Sequence, residues 1–155
     1  MEYASIEREI HIDAAPEVVF DVITSPSHIC EWWGGVAADF EPVPGANGEL
    51  VFGHKSPGDP MVVPMTVVDV VPPKLFSFRW VHPSGEVATA SNSLLVTFEL
   101  AASGAGTTLR MTENGFREIG WEEAVAVEAY LDHCNGWDTY VPSIGEYVMR
   151  LAAAS

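Results

Sequence analysis

The stretch at residues 121–151, WEEAVAVEAYLDHCNGWDTYVPSIGEYVMRL, constrains the fold more than any other part of the chain. Val127, Tyr130, Cys134, Trp137, Val141, Ile144, Val148 and Leu151 recur at steps of three and four. That spacing lays them along one face of an α-helix. Glu122, Glu128, Asp132, Asp138 and Glu146 fall mostly on the other side. A long helix with one apolar face needs a broad surface to bury it against. The rest of the chain reads mainly as strands, so the expectation is a curved sheet gripping this helix, with a pocket trapped between them.

Gly136 and Pro142 interrupt the helical stripe. Glycine costs about 1 kcal/mol against alanine in a helix interior, and a close approach to the sheet would explain it. Pro142 removes one intrahelical hydrogen bond and is expected to bend the helix near Asp138, widening one end of the groove. Residues 130–141 are then expected to floor the cavity, and residues 144–151 to close the core.

Upstream, the period is two. Ile6, Ile10 and Ile12 share one parity of a first strand at residues 3–12, and Glu7, Glu9, His11 and Asp13 take the other. Arg8 sits with the isoleucines; it either pairs with a carboxylate on the covered face or snorkels from the sheet edge. Asp13-Ala-Ala-Pro16 reads as a helix start, with Asp13 or a neighbour as cap. The helix PEVVFDVIT buries Val19, Phe20 and Ile23. Ser25-Pro26 ends it and opens a second short helix, PSHICEWW, stopped by Gly34-Gly35.

Strands follow at residues 36–40, 49–54, 62–71, 75–82, 94–100 and 107–114. Turn clusters separate them: Pro42 to Gly48, Pro72-Pro73-Lys74 and Ser103-Gly104-Ala105-Gly106. Short turns imply an antiparallel sheet, and segregated helices imply an α+β domain. There is no internal repeat or linker, so residues 1–155 read as one domain.

With 48% hydrophobic residues the chain has the composition of a folded globular protein. Its 22 acidic and 7 basic residues give a net charge of -15, which repels phosphate backbones and argues against nucleic-acid binding. No run approaches the length of a membrane span, and the N-terminus lacks the basic start of a signal peptide. Cys30 and Cys134 form no C-x-x-C pair, so a reducing, cytoplasmic compartment is expected.

REIHIDAAPEVVFDVITSPSHICEWWGG, VVDVVPPKLFSFRW, LLVTFELAASGAGTTLRMTENGF and HCNGW occur in that order across nearly the whole chain. Together they resemble the START-like superfamily (helix-grip, Bet v-like or SRPBCC), and within it the family named after the activator of the heat-shock-protein-90 ATPase. The resemblance implies about seven antiparallel strands wrapped around the C-terminal helix, two short helices after the first strand, and an elongated cavity. It implies a small apolar or aromatic ligand, lipid, polyketide or polyphenol-like, less often cyclase or hydrolase activity. The family's title activity belongs to a two-domain co-chaperone whose separate N-terminal domain does not fit in this length, so a chaperone partner is the weaker implication.

The candidate pocket wall follows from parity. Phe76, Phe78, Trp80 and His82 share one face of their strand; Phe52 and His54 share another; Trp32 and Trp33 come from the short helix; Tyr130, Cys134, Trp137 and Val141 come from the long one. Aromatic lining with a few polar tips suits a small hydrophobic ligand. Glu113 follows Leu109 and Met111 on an inward parity. Either the strand ends first and leaves it wet, or it pairs with Arg8, His82 or His133, or it orients a ligand hydroxyl. An enzyme would use His82 or Glu113 as acid or base, with His54 a further candidate. The five histidines show no i, i+4 pair and no H-E-x-x-H, so no metal site is expected. No nucleophile elbow or phosphate loop occurs, and no cofactor is expected.

Overall fold

The computed structural model describes residues 3–52, 61–83 and 85–154. The chain runs β1 (Ser5–Ile12), α1 (Pro16–Thr24), α2 (Pro26–Trp32), β2 (Ala37–Asp39), β3 (Asn47–Phe52), β4 (Met61–Val71), β5 (Leu75–Trp80), β6 (Leu94–Ser103), β7 (Gly106–Asn114) and α3 (Glu123–Ala154). The strands form one antiparallel sheet of seven in the order β1-β7-β6-β5-β4-β3-β2. This is the expected helix-grip α+β fold. Among the described residues no helix is long and apolar enough to cross a membrane.

Strand parity holds where burial drives it. Phe76, Phe78 and Trp80 of β5, Leu94, Val96, Phe98 and Leu100 of β6, and Leu109 and Met111 of β7 are all buried on the concave face. Trp137, Val141, Ile144 and Val148 of α3 meet them there, also buried. The space between helix and sheet is close-packed. A void of about 10 Å³ among Trp32, Phe76, Phe78 and Phe98 barely reaches the room one water requires. The elongated cavity implied by the resemblance does not extend through this part of the core.

α1 starts at Pro16 as expected, but its N-cap is Ala15, without a side-chain cap. The Asp13 carboxylate lies 3.2 Å from His11 instead. Ser25 holds the N-cap position of α2, yet its hydroxyl turns back to Asp21 at 3.0 Å. At the end of α2, Gly34 takes φ +63° and the Gly35 N–H returns to the Cys30 carbonyl at 2.9 Å, the glycine-dependent stop foreseen for this pair.

β1 is an edge strand, and Arg8 on it combines its two open roles: it reaches a carboxylate, Nε lying 2.6 Å from Asp138 of α3, but at the exposed sheet edge and not on the covered face. α3 continues without a break through Pro142. Gly136 is not explained by a close approach: a Cβ added there would meet nothing within 4 Å. The glycine of α3 that does pack on the sheet is Gly145, whose added Cβ would touch Ile10 and Ile12 of β1 at 3.5 and 3.6 Å.

Candidate functional site

A pocket of about 610 Å³ opens beside α3, at the end of the concave face that the core does not fill. The sheet supplies Phe52 from β3, Met61 and Val63 from β4, and Trp80 and Val81 at the end of β5. Phe52 and Met61 are cross-strand partners, and Met61, Val63, Met65 and Val67 share a parity, so this wall continues the core face outward. The helix supplies Ala129, Asp132, His133, Gly136, Trp137 and Tyr140, spaced at three and four, with Asn135 and Thr139 beside them. Trp33 after α2 and Trp121 before α3 close the sides. The pocket exists because Ala129 and Gly136 are small on a helix flank whose neighbours are large.

Trp33 organises the inner end. Its ring lies 5.3 Å from Trp137, 5.5 Å from Trp80 and 5.9 Å from Phe52, centroid to centroid. Tilted and edge-on aromatic pairs of this kind add about 0.5–1.5 kcal/mol each beyond their burial. Tyr140 is seated over Gly34, where an added Cβ would stand 2.8 Å from its hydroxyl.

Beneath these rings lies Glu113 of β7, with no solvent exposure. The strand does not end before it, so the wet alternative is excluded. Trp80 Nε1 donates to Oε2 and Trp137 Nε1 to Oε1, each at 2.8 Å. His133 Nδ1 sits 2.9 and 3.0 Å from the two oxygens. An indole N–H can only donate, so both oxygens act as acceptors. Two indole donors favour the carboxylate form of Glu113, and Nδ1–H of His133 is then the donor between the pair. Burial pushes the His133 pKa down, but the hydrogen bond to Glu113, its charge and that of Asp132 outweigh burial, and the net shift is upward. Of the three partners open to Glu113 in the sequence, His133 is the one the fold provides.

The expected site residues fall into distinct groups. Phe52, Trp80 and Trp137 line the pocket. Glu113 stands behind them. Trp32, Phe78 and Val141 are buried in the core; the Trp32 indole donates to the Val22 carbonyl at 3.0 Å and ties α2 to α1. Tyr130 and Cys134 face β1: the Tyr130 hydroxyl donates to the Ser5 carbonyl at 2.9 Å, and Cys134 neighbours Arg8 and Tyr130. His82 is buried apart from the pocket lining, 5% exposed, and its Nδ1 has no partner among the described residues. The cause is Val81, whose φ of +70° breaks the extended backbone and ends the alternation at Trp80. Burial lowers the His82 pKa, with Glu86 opposing. His54 lies outside the described residues.

Residues 130–141, expected as the cavity floor, include His133, Gly136 and Tyr140, but neither parity nor the apolar stripe singled these three out, nor Met61 and Val63. The available signal was a second helical series, Ala129, His133, Gly136 and Tyr140, running beside the apolar one. Among the described residues no group of three or more His, Cys, Asp or Glu side chains could hold a metal ion.

Solved structures share this architecture. Protein MLL2253 from Mesorhizobium loti is 25% identical with a TM-score of 0.74, over 94% of this chain and 97% of that one. NE0264 from Nitrosomonas europaea, 13% identical, has a TM-score of 0.75 over 99% of both chains. The Aha1 dimer from Colwellia psychrerythraea, 18% identical, has a TM-score of 0.66 over 93% of this chain and 95% of that one. No curated protein sequence matches the chain. The family model described as Activator of Hsp90 ATPase homolog 1-like protein matches residues 13–149, and the chain belongs to that family.

Proposed function

We propose that this protein binds a small apolar or aromatic molecule in the pocket beside α3. The observation that carries the reading is the lining: Trp33, Phe52, Trp80, Trp121 and Trp137 converge on about 610 Å³, and α3 adds the polar groups Asp132, His133, Asn135, Thr139 and Tyr140 along one side. That volume suits a drug-sized molecule, and an aromatic wall facing a polar edge is a way such sites fix orientation. Trp32, Phe78 and Val141 support the rings from behind. Membership of a family whose fold commonly houses hydrophobic ligands agrees with this reading. The two free cysteines agree with a reducing compartment such as the cytoplasm.

The test is a titration of lipids and planar aromatic molecules followed by backbone amide shifts. Saturable shifts centred on Trp80, Gly136 and Trp137 are expected for at least one class. Shifts that never saturate, or that map only to the sheet's convex face, reject the reading. A chaperone ATPase assay is the control for the co-chaperone alternative: stimulation that survives a ligand saturating the pocket would assign the function to another surface.

A further inference from the structure

We propose that His133 and Glu113 form a proton-accepting pair in the pocket wall, and that the ligand carries an acidic hydroxyl, of phenol or enol type, placed at His133 Nε2. The proposal rests on the ligand-binding reading above and names the ligand's chemistry.

The geometry is that of an oriented base. Glu113 receives two indole N–H donors and Nδ1–H of His133, which fixes the imidazole's tautomer and its rotation. The ring is wedged between Trp80 and Phe116, at centroid distances of 5.4 and 5.6 Å. Nδ1 is thus committed inward. Nε2 has no partner among the described residues, while His133 itself lines the pocket. A neutral imidazole held this way presents a lone pair to an occupant. A buried carboxylate behind the ring stabilises the imidazolium formed when that lone pair takes a proton.

The same surroundings limit what can enter. The described lining contains no lysine or arginine, and Asp132 adds a carboxylate. The whole chain carries a charge of -15. A ligand arriving as a carboxylate meets repulsion; a neutral hydroxyl does not. Once bound, its O–H bond breaks, the proton forms a bond to Nε2, and the electron pair stays on the ligand oxygen. The oxyanion then faces an imidazolium, so charge is conserved and no other reactant is required. The groups that set this balance are Glu113 from β7, Asp132 from α3 and His133 itself; β5 and the segment after β7 present Trp80 and Phe116, which do not titrate in this range.

The probes are meta-nitrophenol and its methyl ether, meta-nitroanisole, which match in shape but differ in the proton. Both are titrated against the whole protein at a pH above the His133 titration, where the imidazole is neutral and free meta-nitrophenol is still mostly protonated. The phenol is expected to bind at least about tenfold more tightly and to show phenolate absorbance when bound. His133→Gln is expected to abolish that absorbance and to remove the preference for the phenol over the ether. In the unsubstituted protein, the His133 ring nitrogen shifts should move to imidazolium values with the phenol and stay put with the ether, a readout that does not depend on a variant folding. Equal affinity for the two probes, or phenolate absorbance unchanged by His133→Gln, overturns the proton-accepting pair and leaves the pocket reading standing. Saturable binding of neither probe overturns the proton-accepting pair, and the pocket reading falls with it only if no lipid or planar aromatic molecule of the wider panel binds saturably either.

Discussion

Glu113 is the one carboxylate among the described residues that is fully buried, and its three donors come from three residues on two elements. Glu113→Gln leaves one acceptor where two are needed and turns an amide N–H₂ toward another donor. It is expected to cost about 2 kcal/mol in urea unfolding; a loss within experimental error would mean the network does not hold the core. Two histidines make opposite contributions to acid stability. His133 has a raised pKa, so its contribution is complete below about pH 6.5 and is lost as pH rises through its folded pKa. His82 has a lowered pKa, so its contribution is complete above about pH 6.5 and is lost as pH falls. His82→Leu should therefore lose less stability than the parent between about pH 7 and about pH 5, and His133→Gln should lose more. Parallel stability–pH curves for all three proteins would contradict both assignments. The inward direction of Glu113 could be read from its parity with Met111 and Leu109. The place of His82 could not, because a positive φ at Val81 carries no signature in a β-branched residue.

At the scale of the element, α3 has two working faces. The face that packs the core was legible, since burial selects large apolar residues and these leave a periodic mark at Trp137, Val141, Ile144 and Val148. The flank that lines the pocket was not, since an open space selects small and polar residues such as Ala129, His133 and Gly136, which periodicity counts as solvent-facing. Gly136 separates these two demands. Its Cβ position is empty, so Gly136→Ala is expected to stabilise the protein by about 1 kcal/mol through helix propensity alone. Gly136→Leu should fold as well, but its side chain should occupy the pocket and weaken any aromatic ligand strongly. Thermal melts and the ligand titration check the two parts separately. Destabilisation by alanine would show that the glycine serves backbone geometry and not space.

For the whole molecule, the sheet order sets a gradient of protection. β6 lies between β5 and β7 with its inward residues buried, whereas β2 is a three-residue edge strand paired only to β3. Amide exchange should be slowest in β6 and the facing part of α3, and fastest among the strands in β2; comparable protection in β2 and β6 would be inconsistent with this order. The stacked indoles of Trp32 and Trp33, with centroids 5.2 Å apart and planes 7° from parallel, have a further consequence. Two chromophores this close share excitation, so their circular dichroism belongs to the pair. Trp32 is tethered to the Val22 carbonyl in the core, while Trp33 borders the pocket. An occupant that tilts Trp33 changes the coupling against a fixed partner, which gives the protein a built-in optical gauge of whether its pocket is filled.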